Sequence, residues 1–146
     1  MSTLEKAIEI AARAHAGQVD KAGSPYILHP LRLMLQMTQM PERIAAVLHD
    51  VVEDTSIRLD DLHQAGFSDA IVTAVDALTK RAGEDRLTAA GRAAANPIAR
   101  RVKLADVADN MDLRRIPHPT ERDYARLKEY AQVLALLQAA DGSFGD

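Results

Sequence analysis

The chain has 146 residues, a formal net charge of −3 and no cysteine. That length suits one domain, residues 1–146, with a hydrophobic core, and the absence of Cys excludes disulfides, thiolate nucleophiles and cysteine-based zinc sites. The charge gives no general attraction to nucleic acid or to an anionic membrane, and neither is an expected partner.

With 47% hydrophobic residues, 3% aromatics and no Trp, the composition favours close-packed helices over a sheet. No apolar run approaches the roughly 20 residues of a membrane span. The opening Met1-Ser2-Thr3-Leu4-Glu5-Lys6 lacks the basic-then-apolar layout of a signal peptide. A cytoplasmic protein is the expectation.

Ser2-Thr3-Leu4-Glu5 reads as a capping box opening a helix to about Ala16, with Leu4, Ala7, Ile8, Ala11 and Ala12 inward and Gly17 as its stop. A Gly-, Ser- and Pro-bearing loop follows over 17–28, and His29 stands just before Pro30, the favoured first helical position. The helix from Pro30 to about Gln39 is expected to bury Leu31, Leu33, Met34, Leu35 and Met37.

Pro41 starts the next helix, which runs through His49-Asp50-Val51-Val52-Glu53-Asp54. Residues four apart share a helix face, so His49 stacks over Glu53 and Asp50 over Asp54, opposite Ile44, Ala45, Val47, Leu48, Val51 and Val52. Such a strip can hold a divalent cation with an acid/base group beside it. A solvated helix face has the same pattern, so other segments must decide.

Further helices are expected from Leu59 to Gly66, from Asp69 (capped by Ser68) to Lys80, and from Pro97 (capped by Asn96) to Leu113. The stretch Arg81–Ala95 is weakly patterned and reads as a poor helix or a flap. After Pro117-His118-Pro119, Thr120 with Asp123 opens a last helix to about Ala140, and Asp141–Asp146 is expected to fray. The sum is an all-α bundle of five to eight helices.

A divalent ion such as Mn²⁺, Fe²⁺ or Zn²⁺ takes imidazole nitrogen and carboxylate oxygen and keeps positions open for water and substrate. His49 and Asp50 supply one of each. His29, framed by Pro25 and Pro30, is a third candidate, although a helix cap or interfacial histidine fits it too. Asp106 is the fourth: on its helix Lys103, Asp106 and Asn110 share one side, opposite Leu104, Ala105, Val107, Ala108 and Met111. His15, His63 and His118 lack such framing.

The order His29, His49-Asp50, Asp106 resembles the HD-domain superfamily of metal-dependent phosphohydrolases. More narrowly, the chain resembles the hydrolase domain of RelA/SpoT-type enzymes and small single-domain alarmone hydrolases. The segments that carry it are Ala14-His15-Ala16-Gly17-Gln18, Gly23-Ser24-Pro25-Tyr26-Ile27-Leu28-His29-Pro30, Leu48-His49-Asp50-Val51-Val52-Glu53-Asp54-Thr55 and Val102-Lys103-Leu104-Ala105-Asp106, with Asn110-Met111 behind.

This resemblance implies metal ligation by His29, His49, Asp50 and Asp106, with Mn²⁺ the usual ion and another divalent metal an alternative. It implies that Glu53 and Asp54 orient and deprotonate the attacking water, and that the reaction removes pyrophosphate from the ribose 3′ position of the nucleotide ppGpp. Lys21, Lys103 and Asn110 are the candidate substrate contacts.

Two positions depart from the family pattern. Asp20 replaces one of two adjacent basic residues, and Val107-Ala108-Asp109 replaces Arg-Leu-His, removing positive charge where a polyphosphate needs it. Lys21, Lys80, Arg81, Lys103, Arg114 and Arg115 are possible replacements. Another phosphorylated substrate, or a non-catalytic nucleotide-binding module, is therefore an alternative. Oligomeric state is not readable from the sequence.

Overall fold

A computed structural model describes residues 2–144. The helices are α1 (Leu4–Ala14), α2 (Leu28–Gln36), α3 (Met40–Leu48), α4 (Val51–Asp54), α5 (Leu59–Gln64), α6 (Asp69–Leu78), α7 (Arg86–Ala94), α8 (Pro97–Asn110) and α9 (Glu121–Phe144), with a 3₁₀ turn at Leu113–Arg115. Among the described residues eight helices have six residues or more, and the extended pairing is one isolated bridge between Val19 and Pro25. The all-α expectation holds. No helix among the described residues is long and apolar enough to cross a membrane.

The core is organised around α3, in which Ile44, Ala45, Ala46, Val47 and Leu48 are all buried. The second half of α3 is apolar on every side and so must be enclosed on every side. On one flank Val47 and Leu48 meet Ala7 and Ala11 of α1 and Ile71 and Val75 of α6. On the other, Ala45 and Ala46 meet Leu33 of α2, Ala74 of α6 and Val102 of α8. The C-terminus of α3 therefore delivers His49 and Asp50 into the interior of the bundle.

Several boundaries differ from the sequence expectation. The cap of α1 is Thr3, whose hydroxyl accepts from the Lys6 amide, while Ser2 bonds to the Ala65 and Gly66 carbonyls. Ala12 faces solvent, and Ile10 and Ala14 pack on the core instead. Helix α2 starts two residues early, which puts His29 within its first turn. Leu35 is 77% exposed, because α2 turns the Leu33–Met37 edge inward and Leu35 lies on the opposite side.

The expected single helix through residue 54 is broken at His49-Asp50 into α3 and α4. The Ala46 carbonyl takes both the His49 amide, at 3.4 Å, and its ring Nδ1, at 2.7 Å. A side chain that competes for a backbone carbonyl tightens and ends the helix there. Ala108 is exposed and Asp109 buried, so α8 presents a second buried face towards α2.

The weakly patterned stretch is an ordered helix, α7. Asp85 caps it by accepting from the Thr88 amide at 2.7 Å, and Ala90, Ala93 and Ala94 are buried. Small residues allow α7 to lie close to α6, α8 and α9, and the Arg92 guanidinium ties it back through Glu84 and the Thr79 carbonyl. Helix α9 continues through Phe144, past the expected end at Ala140, and residues 145–146 lie outside the described residues.

Leu137 and Val133 of α9 are buried against Ala90, Ala94 and Val107. Leu137→Ala is expected to cost about 2–5 kcal/mol by removing packed methyl groups and leaving a cavity, measurable by urea unfolding. A cost near zero would mean that α9 does not belong to the cooperative core.

Candidate active site

Three segments far apart in sequence converge on one point. The Tyr26 carbonyl receives the His29 amide at 3.0 Å, which sets the first turn of α2 and aims the His29 ring at α8. The break after α3 presents His49 and Asp50, and α8 presents Asp106.

His29 Nε2 lies 2.9 Å from Asp106 Oδ1 and 3.9 Å from Asp50 Oδ2. His49 Nε2 lies 2.9 Å from Asp50 Oδ2 and 3.5 Å from Asp106 Oδ1. Donor atoms of His29, His49 and Asp50 fall within 4.8 Å of one another, as do those of Asp50, Glu53 and Asp54. The four residues singled out from the sequence are therefore brought together.

His49 tests whether this set suits a cation. Its ring is 2% exposed, and its Nδ1–H donates to the Ala46 carbonyl, so Nε2 is the nitrogen left to hold either a proton or a cation. That nitrogen is buried without a hydrogen-bond partner although carboxylate oxygens surround it. A lone pair facing anionic oxygens is unfavourable unless a positive charge is shared among them. Two imidazoles with two carboxylates are a suitable donor set for a divalent first-row metal.

The electrostatics fit the same reading. Burial alone would lower both histidines, but the Asp50 and Asp106 charges hold His49 well above its usual value, and hydrogen bonds to Asp106 and Asp109 raise His29. Burial pushes Asp106 up, yet Lys103, whose Nζ is 2.9 Å away, and His29 outweigh it and hold Asp106 well below the carboxylate range. Tyr26 donates to Asp50 Oδ2, and burial with the Asp50 charge raises its hydroxyl so that it stays a donor.

A proton and a metal thus compete for the same nitrogens. Both imidazoles have raised values without metal, so metal binding at neutral pH releases protons, and affinity falls as the pH falls through the histidine range. Calorimetry in buffers of different ionisation heat should show this release. Binding independent of pH between 5.5 and 7.5 would contradict metal ligation by these histidines.

Beyond the cluster, partial desolvation at the cavity wall and then the Asp50 and Glu53 charges push Asp54 up to about 6. Glu53 Oε1 accepts from the Lys80 amide at 2.7 Å, which tethers the end of α6 beside α4. His15, Gln18 and the Asp54 carbonyl form a chain of contacts at 2.8 and 3.1 Å that fixes the far end of α4.

Two cavities flank the cluster. One, about 240 Å³, is lined by the His49-Asp50 pair, Glu53, Asp54, Lys80, Arg86 and Lys103. The other, about 260 Å³, is lined by Val19, Asp20, Lys21, Ile116, Asp112 and Arg115. Tyr26, His29, Asn110 and Tyr130 line both, so the two meet at the histidine–aspartate cluster.

The candidate substrate contacts are placed as follows. Lys21 lines the second cavity with its ammonium 3.8 Å from Asp123. Lys103 lines the first cavity and pairs with Asp106. Asn110 donates to Asp106 Oδ1 at 3.1 Å, so in this state its amide steadies the carboxylate. Of the proposed replacement cations, Lys80 and Arg115 reach the cavities, whereas Arg81 pairs with Asp76 and Arg114 with Asp112 on the surface.

Sequence reasoning missed Arg86, Tyr130 and Asp109. Arg86 pairs with Glu129 at 2.6 Å and lies 4.7 Å over the Tyr130 ring, and no motif marks either residue. Asp109 did carry a signal: it stands three residues after Asp106, one turn along the same face of α8. Asp20 caps its own loop by accepting from the Ala22 and Ser24 amides and pairs with Arg115 at 3.3 Å. Its negative charge is thereby offset by a cation from the 3₁₀ turn.

An all-helical bundle that gathers two imidazoles and two carboxylates around one point defines a class: helical domains with a histidine–aspartate site for a divalent cation. The family model of the HD domain matches residues 7–114, and the chain belongs to that family.

Among relatives, a probable GTP pyrophosphokinase of Mycobacterium leprae is 31% identical over 153 residues, 94% of this chain and 19% of that protein. Guanosine-3′,5′-bis(diphosphate) 3′-pyrophosphohydrolases of Borreliella burgdorferi and Vibrio cholerae are 37% and 36% identical over 51% and 55% of this chain, and 12% of each relative. The chain thus spans less than a fifth of the length of these curated relatives. A solved structure of a metazoan ortholog of SpoT, described as hydrolysing ppGpp, superposes with a TM-score of 0.75 at 22% identity. That match covers 94% of this chain and 85% of the other, and it establishes the fold.

Proposed function

We propose that this chain is a Mn²⁺-dependent phosphohydrolase that removes pyrophosphate from the ribose 3′ position of guanosine 3′,5′-bis(diphosphate). The observation that carries the reading is the convergence of His29, His49, Asp50 and Asp106, with Asp54 one turn beyond. Relatives named for this hydrolysis support the substrate, and the cytoplasm is where such a nucleotide would be met.

In this reading His29, His49, Asp50 and Asp106 hold the cation. When bound, it makes water acidic enough to ionise near neutral pH and offsets charge on the phosphoryl oxygens. Asp54, raised to about 6, is a base matched to neutral conditions and takes the water proton. Glu53, fixed by the Lys80 amide, orients that water. Lys103 faces the phosphates from the first cavity, and Lys21 and Asn110 hold the nucleoside side at the second.

Purified protein with Mn²⁺ and ppGpp should release pyrophosphate and guanosine diphosphate, and chelation should stop it. A second reading keeps the metal and water but takes another phosphorylated nucleotide. It is favoured by Asp20, an anion at one of the two adjacent positions where the family pattern has basic residues. Turnover of another nucleotide with none of ppGpp would select it.

A further inference from the structure

The His29 ring is held from both sides by α8. Asp106 meets its Nε2, and Asp109, one turn on, meets its Nδ1 at 2.5 Å. The Asp109 carboxylate is buried, with its side chain 6% exposed, and it is not spare. Arg32 donates to both its oxygens, at 2.9 and 3.0 Å, and Arg115 donates to Oδ2 at 2.8 Å and to its carbonyl at 3.0 Å.

Two guanidinium groups on one buried carboxylate leave it an acceptor only. The His29 nitrogen facing it must therefore donate, which leaves Nε2, towards Asp106, as the nitrogen that can exchange its proton for a cation. A histidine that binds metal through one nitrogen needs its other N–H fixed in this way, by a carboxylate or a carbonyl. For His49 the Ala46 carbonyl fills that role. For His29 only Asp109 is in place to do so among the described residues.

We propose that Asp109 is the positioning residue of the metal centre: it fixes His29 with its proton on Nδ1 and Nε2 directed at the cation. Arg32 and Arg115 clamp Asp109 in that task. Arg115 also lines the second cavity and reaches Asp20, so the clamp runs from the wall of that cavity to the metal ligand. The inference rests on His29 being a metal ligand, as proposed above.

The test measures Mn²⁺ affinity of the full chain by calorimetry for wild type, His29→Gln and Asp109→Asn, with thermal unfolding of each metal-free protein alongside. Asp109→Asn is expected to weaken Mn²⁺ binding by about 10–100-fold, the range for partners of a liganding histidine. A merely structural role would lower the unfolding temperature and leave the affinity of the folded protein unchanged.

If His29→Gln binds Mn²⁺ as tightly as wild type, the metal reading itself falls. If His29→Gln loses the metal and Asp109→Asn stays within twofold of wild type, the positioning role alone is overturned. Should Asp109→Asn not fold, nitrogen NMR of the wild-type Zn²⁺ complex decides. A His29 proton on Nδ1, protected from exchange, supports the assignment, and one on Nε2 overturns it.

Discussion

Asp54→Asn is expected to lower kcat by about 10²–10⁴-fold, the usual range for a general base, with Mn²⁺ affinity close to wild type. The amide keeps the size of the carboxylate but cannot accept a proton. Asp54 is exposed and lies outside the four-residue cluster, so the replacement leaves the packing intact. In the wild type a base raised to about 6 must be ionised to act, so activity falls as pH drops through that value. A bound cation moves this limb to lower pH by its opposite charge, and the limb is absent in the variant. Turnover equal to wild type would remove Asp54 from the chemistry.

Metal should also stabilise the fold, because a site assembled from α2, the α3–α4 break and α8 exists only in the folded chain. At 100 times its dissociation constant, a ligand that binds only the native state adds about 2.7 kcal/mol. For a domain of this size that is roughly a 5–10 °C rise in Tm, taking about 2–4 °C per kcal/mol. His49→Gln removes the buried nitrogen that lacks a protein partner, so the Mn²⁺-dependent rise should vanish. A rise of the same size in that variant would place the ion elsewhere.

The candidate residues that converge were legible because the segments that carry them are short and rigidly framed. His49-Asp50 follows an apolar helix, His29 is bracketed by prolines, and Asp106 lies on an alanine-rich helix. The two helical patterns also fit solvated faces, and His29 fits a cap or an interfacial histidine; their order along the chain is what joined them. The break at His49-Asp50 was not legible, since apolar periodicity continues across it and its cause is a ring nitrogen bonded to Ala46. Burial of the second half of α3 on every side was hidden too, because a sequence reports one helix at a time and the polar strip began at its end.

What surrounds the substrate was harder to see. Arg86 and Tyr130 meet across α7 and α9, 44 residues apart in numbering, and nothing local marks either one. Asp20 read as a lost positive charge, whereas in three dimensions Arg115 restores a cation next to it from 95 residues away. Pairing over such separations depends on how helices pack, which periodicity does not encode. Asp109 was visible as a departure from a family pattern, and only its contact with His29 gives that departure a meaning.

Tyr130 borders both cavities, and it comes from α9, which begins beyond the stretch that the HD family shares. The four residues proposed to hold the ion all lie before that boundary. Change in the terminal helix can therefore re-cut the doorway between the two chambers while leaving the histidine–aspartate cluster beneath in place.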